Sequence, residues 1–305
     1  TLEKLRKERQ EKQLTVHSAT VKQLLEAPDG TAWDFIQQYF GELYTIKANV
    51  AELRKTILQL AVMGRLVPQD LNEPPAGELL KEIEVQKQRL VKEKKIKMPK
   101  PVSSISQDDE PFQVPDNWRW VRIAELAESI DYGTSQKTCD DSSLVPVYRM
   151  GNIVDGQLID EGFKYIAPDI DELPRLFLQP NDILFNRTNS YELVGKISLF
   201  DLDGDYLSAS YIVAYRPNFK VLNSIFINNL LNTTYFQDKI RTIATKGVSQ
   251  ANINPTSFKE VINIPLPPLK EQEKIAEILT TWDEAISKQT ELLRAKELLK
   301  IALMQ

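Results

Sequence analysis

The chain has 305 residues, 42% hydrophobic and 27% charged, the make-up of a soluble globular protein of about two domains. No apolar run approaches the roughly 20 residues of a membrane span, and the single cysteine, Cys139, excludes an internal disulfide. The single histidine, His17, excludes Cys/His zinc sites and most histidine-dependent catalysis, while the net charge of −5 argues against loose binding to polyanions. With no signal-peptide pattern, a cytoplasmic protein without a membrane partner is expected.

Residues 1–64 read as helix. Thr1–Glu26 is dense in Lys, Arg, Glu and Gln, Pro28-Asp29-Gly30 marks a turn, and Thr31 or Asp34 is placed to cap the next helix. Leu43, Ile46, Val50, Leu53, Ile57 and Leu60 then recur at intervals of 3 and 4 as far as Gly64. That is the seam of a left-handed coiled coil, or of one amphipathic helix packed on its own domain.

Residues 65–117 form a connector, punctuated by Pro68, Pro74 and Pro75 at its start and by Pro99, Pro101, Pro111 and Pro115 at its end. Between them Gly77–Lys97 is a charged helix. Residues 81–100 carry eight basic and three acidic side chains, read first as a solvated face and alternatively as a phosphate-contacting one.

From 118 to 268 the texture changes to short β-type runs at Val145–Arg149, Asp182–Phe185, Val194–Phe200, Ser208–Arg216 and Val261–Ile264. Turns such as Asp155-Gly156 and Asp203-Gly204 separate them, and Asn223–Thr245 is helical. Residues 269–305 return to helix, with Ile275, Leu279, Trp282, Ile286 and Leu293 as a second seam that Gln289 and Thr290 interrupt. Glu52-Leu53-x-Lys55-x-x-Leu58 is echoed by Glu297-Leu298-x-Lys300-x-x-Leu303, which suggests two related helices lying side by side. The expected class is therefore α+β: one mixed α/β domain flanked by long helices that pair as an antiparallel coiled coil. For those helices to meet, the domain must begin and end at neighbouring points.

Catalytic signatures are absent. There is no phosphate-binding or dinucleotide glycine loop. Asn72-Glu73-Pro74-Pro75 and Asn254-Pro255-Thr256-Ser257 lack the pattern of an adenine-methylating loop, and Glu93-x-Lys95 matches a nuclease pair only as text. Asp201, Asp203 and Asp205 read as a solvated turn.

Three polar stretches instead carry the side chains that bond phosphates and base edges: Tyr132-Gly133-Thr134-Ser135-Gln136-Lys137, Asn186-Arg187-Thr188-Asn189-Ser190, and Lys246 to Asn254 with Ser249, Gln250 and Asn252. Glycine at 133 permits close backbone approach. By composition alone each stretch reads first as a polar loop whose Asn and Ser side chains cap their own backbone, and DNA contact is the alternative. From Glu110 to Pro268 there are 14 basic and 20 acidic residues, a net of −6, yet no acidic residue lies between Lys239 and Lys259. Such a domain would discriminate sequences while leaning on a more basic partner for affinity.

These residues resemble the specificity subunit of type I restriction–modification systems. The carrying segments are Trp118-Arg119-Trp120, Tyr132–Lys137, Tyr148–Ile153, Asp182–Lys196, Gly247–Phe258 and Ile264–Gln272, with Leu53–Pro68 similar to the end of the family's central helix. The resemblance covers about residues 40–305. It implies a target-recognition domain at 118–268 between helical conserved regions at 1–64 and 269–305, with double-stranded DNA as ligand. It also implies docking of modification subunits that carry S-adenosylmethionine and methylate adenine, and of a motor-nuclease subunit. This chain would then bind no cofactor or metal and have no catalytic residue. Arg187 and Gln250 become the leading base readers, and Lys137, Lys196 and Lys246 the leading phosphate contacts. Arg149 and Asn152, from the matching Tyr148–Ile153 segment, join the candidate DNA contacts. The family usually has two recognition domains, so one such domain implies part of a longer subunit, or a half-subunit that forms a homodimer. The rival readings are a coiled-coil adaptor that binds only protein, and a hydrolase with paired carboxylates.

Overall fold

A computed structural model of the chain describes residues 2–27, 30–70, 72–94, 105–106 and 109–303. The sequence features at Thr1, Pro28, Asp29, Lys95, Lys97, Pro99, Lys100 and Pro101 lie outside the described residues. The chain divides into two compact units, residues 1–69 with 274–305, and residues 70–273.

The first unit is helical. It contains α1 (Leu2–Glu26), α2 (Gly30–Leu43), α3 (Lys47–Val62) and, from residue 274 onward, α9 (Leu269–Ala302). On α3 the seam residues Val50, Leu53, Ile57 and Leu60 are buried, and so are Thr56, Leu58, Ala61 and Val62. A face that wide exceeds a two-helix seam. α1 accounts for the excess: His17 Nε2 lies 2.9 Å from Glu52, and Val21 and Leu24 are buried with it. The helix stops at Gly64, whose φ of 66° is left-handed, while Arg65 N–H bonds back to Leu60 O at 2.9 Å.

α3 and α9 run antiparallel, as the seams predict. Lys47 pairs with Glu297 at 3.0 Å, and Arg54 with Asp283 at 2.6 Å. Gln289, read from sequence as an interruption, is buried and donates to Tyr44 O at 2.8 Å. The seam thus stays closed at a polar position. Trp282 meets Trp33 and Phe40 of α2, each at 5.7 Å between ring centres.

The second unit takes in the charged helix, α4 (Ala76–Lys92), as well as the sheets. Ala76 N–H bonds to Asn117 O at 3.0 Å, and Lys87 donates to Glu125 O at 2.8 Å. Lys87 is therefore turned toward protein, its pKa lowered by burial, whereas Lys81, Arg89, Lys92 and Lys94 are exposed. β1 (Arg119–Arg122) pairs antiparallel with β14 (Asn263–Leu266), Trp120 opposite Pro265. That ladder holds the start and finish of the domain together.

The main sheet joins β2 (Ala127–Tyr132), β11 (Ile212–Pro217), β7 (Asp182–Asn186) and β9 (Ile197–Phe200), in that order and antiparallel throughout. β7 is buried at all five positions, which explains its continuous apolar run. A second sheet orders β10 (Leu207–Ser208), β3 (Val145–Tyr148) and β6 (Lys164–Ile166). β10 and β11 divide the Ser208–Arg216 run, since β10 pairs parallel with β3 before the chain turns into β11. The hairpin of β4 (Ile153–Val154) and β5 (Gln157–Leu158) turns on Asp155 and Gly156, both at positive φ, the type I′ signature. Short helices α5 (Ile123–Leu126), α6 (Ser224–Leu231), α7 (Thr234–Thr242) and α8 (Pro255–Val261) complete the unit. Asn223, Thr233 and Asn254 accept N-cap bonds for the last three. Val261 ends α8, so the last predicted strand begins two residues late, at Asn263.

One charge pair lies inside the main sheet. Asp182 is fully buried and binds Arg216 through two contacts of 2.8 and 2.7 Å, with Gln179 N–H as a third partner. Removing one member strands a buried charge. Asp182→Ala should therefore lower stability by about 3–5 kcal/mol in urea unfolding. The double change Asp182→Ala with Arg216→Met should recover part of that loss.

Candidate nucleic-acid interface

The main sheet ends where the polar stretches begin. β7 runs directly into Arg187 and then β8 (Thr188–Asn189), which pairs antiparallel with β13 (Ala251–Asn252). β13 pairs in turn with β12 (Thr245–Lys246). Two of the three predicted stretches are thus strands of one small sheet, Thr188 opposite Asn252 and Thr245 on its other side. The first stretch arrives through β2, whose Tyr132 faces Val213 of β11.

Arg187 sits at the meeting point. Its guanidinium carbon lies 5.1 Å above the Tyr132 ring, and its Nη2 donates to Asn252 Oδ1 at 2.9 Å. Asn252 Nδ2 donates to Thr188 Oγ1 at 2.8 Å. Arg187 backbone groups bond Tyr211 O and Ile253 N–H, so the residue is fixed at both levels. Lys246 lies 3.8 Å above the Tyr191 ring. Such stacking orients a cation without cancelling its charge. Arg149 Nε reaches the Tyr211 hydroxyl at 3.3 Å, and Tyr211 O accepts the Arg187 N–H. Tyr191 and Tyr211 were not singled out in the sequence; Tyr191 directly follows the second stretch, the one local signal for it.

Other predicted contacts serve the fold. Asn152 is buried, accepts from Arg149 N–H and donates to the Ile159 and Glu161 carbonyls at 2.8 and 2.6 Å. Asn186 is fully buried in β7, and its side-chain amide has no hydrogen-bond partner among the described residues. Thr134 is buried, and its hydroxyl accepts from Gln136 N–H. Asn254 is exposed but spends its side chain on the cap of α8. Asn189 accepts from Ser190 N–H, and Lys196 stands half-buried just before β9. Ser135, Lys137, Ser249 and Gln250 are exposed.

Gly133 admits its own backbone rather than a ligand. A Cβ there would lie 2.1 Å from Ser208 O and 2.4 Å from Ala209 O. Gly195, at φ +83°, keeps its turn beneath Ile240. Glu192 lies near Lys246 at this surface. Hydrogen bonds from its own N–H and from Ser190, with Lys246 close by, hold it below the usual carboxylate range. Among the described residues no cluster of His, Cys, Asp or Glu is placed to hold a metal, and no helix is long and apolar enough to cross a membrane.

Comparison with known proteins gives the family to which this fold belongs. The family model described as type I restriction modification DNA specificity domain matches residues 115–295. The chain belongs to that family. It is 31% identical over 262 residues to the type I restriction enzyme EcoAI specificity subunit of Escherichia coli, covering 83% of this chain and 43% of the relative. It is 33% identical over 263 residues to the EcoEI specificity subunit of the same organism, covering 80% and 42%. A solved chain from a study of assembly and conformational transition of a type I R-M system matches at a TM-score of 0.48 and 19% identity, covering 84% of this chain and 56% of that one. The chain therefore spans less than half the length of the two E. coli relatives.

Gly133→Ala should destabilise the protein by more than about 3 kcal/mol, beyond the usual range of point substitutions, because the clashing atoms are backbone. Thermal unfolding of this variant beside Ser135→Ala, whose side chain is exposed, separates a fold position from a surface one.

Proposed function

We propose that this chain reads the sequence of double-stranded DNA for a type I restriction–modification complex and carries out no chemistry itself. The observation that carries the proposal is the convergence of Tyr132, Arg187, Thr188 and Asn252 on one hydrogen-bonded, stacked array, with Lys246 on the adjoining strand. Arg pairs bidentately with guanine in the major groove. The Tyr132 ring and Asn252 hold the guanidinium in advance, so less side-chain freedom is lost on binding.

Affinity has to come from elsewhere. Residues 110–268 carry a net charge of −6, so the phosphate clamp belongs largely to partner subunits. In this reading modification subunits bind S-adenosylmethionine and methylate adenine, a motor-nuclease subunit cuts, and the helical unit is the docking scaffold. The complex acts on DNA in the cytoplasm.

The test is co-expression with the modification subunit, followed by mapping of N6-methyladenine across host DNA. A methylated motif that depends on this chain is expected; a stable complex that adds none would defeat the proposal. A palindromic motif would mark two copies of this chain, and a split asymmetric one a second recognition domain. Arg187→Ala should cost about 1–3 kcal/mol of discrimination at one base pair, read as relaxed methylation at that position. Lys246→Ala should weaken binding to all duplexes alike and reduce the salt slope by about 1, measured by titration at several ionic strengths.

A further inference from the structure

Beyond the array just described, the hairpin of β12 and β13 presents an apolar side chain that the hydrogen-bonding surface does not explain. We propose that Val248 is a specificity-determining residue that contacts the 5-methyl group of a thymine in the major groove. The inference rests on the DNA-reading function and assigns a particular base feature to a particular residue.

Val248 is fully exposed, the most exposed large apolar side chain among the described residues. A single exposed valine is ordinary by itself. Its setting is not. Residues 245–250 are all exposed, while Ala251 and Ile253 at the root are buried, so the tip stands on a fixed base. The turn is closed by Gly247 N–H to Gln250 O at 2.7 Å, and a Cβ on residue 247 would lie 2.9 Å from that oxygen. Glycine therefore keeps the turn tight, with Val248 near its apex. A β-branched side chain has few rotamers and gives up little freedom on contact.

The surroundings select the ligand. No acidic residue lies between Lys239 and Lys259, and Lys246 stands two residues from Val248. The exposed tip of a β-hairpin is narrow enough for the major groove, which is about 12 Å wide. Only there does DNA display an apolar group, the thymine methyl; the minor groove shows none. A protein partner would ask for an apolar patch. The rest of the tip is Thr245, Lys246, Gly247, Ser249 and Gln250, which supplies no second apolar side chain. One pair of methyls facing one methyl group is the match.

The test uses the full chain in complex with its modification subunit. A preferred duplex is selected from a random pool, and each of its thymines is replaced in turn by uracil, which lacks only the methyl. At one position the wild-type complex should lose affinity roughly 3- to 10-fold. Val248→Ala should bind the unmodified duplex with that reduced affinity and show no further loss with uracil there. Uracil without effect at every position, or an unchanged uracil penalty in Val248→Ala, would overturn the assignment while leaving DNA reading intact. Loss of the modification subunit from Val248→Ala would also overturn it and make the tip a protein contact. A wild-type complex that selects no sequence would remove the DNA-reading function and this assignment together.

Discussion

The antiparallel pairing of Thr188-Asn189 with Ala251-Asn252 joins segments more than 60 residues apart, and the candidate interface hangs on it. One side of the ladder is anchored because β8 continues from β7, a central and wholly buried strand. The other side is anchored because Ile253 is buried and α8 comes directly after it, with Phe258 stacked on Phe185 at 4.5 Å. The hydrophobic core thus sets the register, and the register sets which polar side chains are neighbours. Without it Arg187 would have neither Asn252 nor a defined place above Tyr132.

This arrangement separates holding from reading. An acidic recognition domain is a poor polyelectrolyte partner, since counterion release scales with the phosphates neutralised. Discrimination needs something different: a few donors and acceptors held in fixed positions. Stacking of Arg187 and Lys246 on tyrosine rings fixes cations in an acidic background without pairing each to a carboxylate. The nearby Glu192, kept ionised by its hydrogen bonds, adds a like-charge penalty against phosphate. On the proposed function, such a surface rewards correct base edges more than backbone proximity.

Much of this was legible in the sequence. The two seams located α3 and α9 and their antiparallel contact, and the need for adjacent domain ends is met by the β1–β14 ladder. Two of the polar stretches are partners in one sheet. The features that were not legible have common physical causes. Asn152, Asn186 and Thr134 have the composition of a recognition loop, yet they face inward, where Asn152 and Thr134 bond their own backbone. A one-dimensional pattern does not distinguish an asparagine that caps from one that reads. Strands of two residues, such as β8 and β13, are too short to show alternation. The contribution of α1 was hidden because its polar His17 and Thr20 are buried beside Val21 and Leu24, which blurs any apolar stripe. α4 read as a linker helix because its charge dominates, while Ile83 and Lys87 face the folded unit.

The division between inward and outward polar residues bears on how such a domain can change its target. Gly133, Thr134, Asn152 and Gly195 are committed to backbone contacts within the domain, so changes there spend stability before they alter recognition. Ser135, Lys137, Ser249 and Gln250 are exposed on turns whose geometry is set by neighbouring glycines and buried roots. Substitution at those tips leaves the ladder and the core unchanged, because surface changes away from caps and cores usually stay within about 0.5 kcal/mol. Arg187 lies between the two classes, half-buried and bonded, yet carrying the charge that faces the array. The polar surface is therefore graded: a fixed cationic centre at Arg187, surrounded by exposed tips. Sequence preference can shift at the rim while the scaffold that positions it is retained.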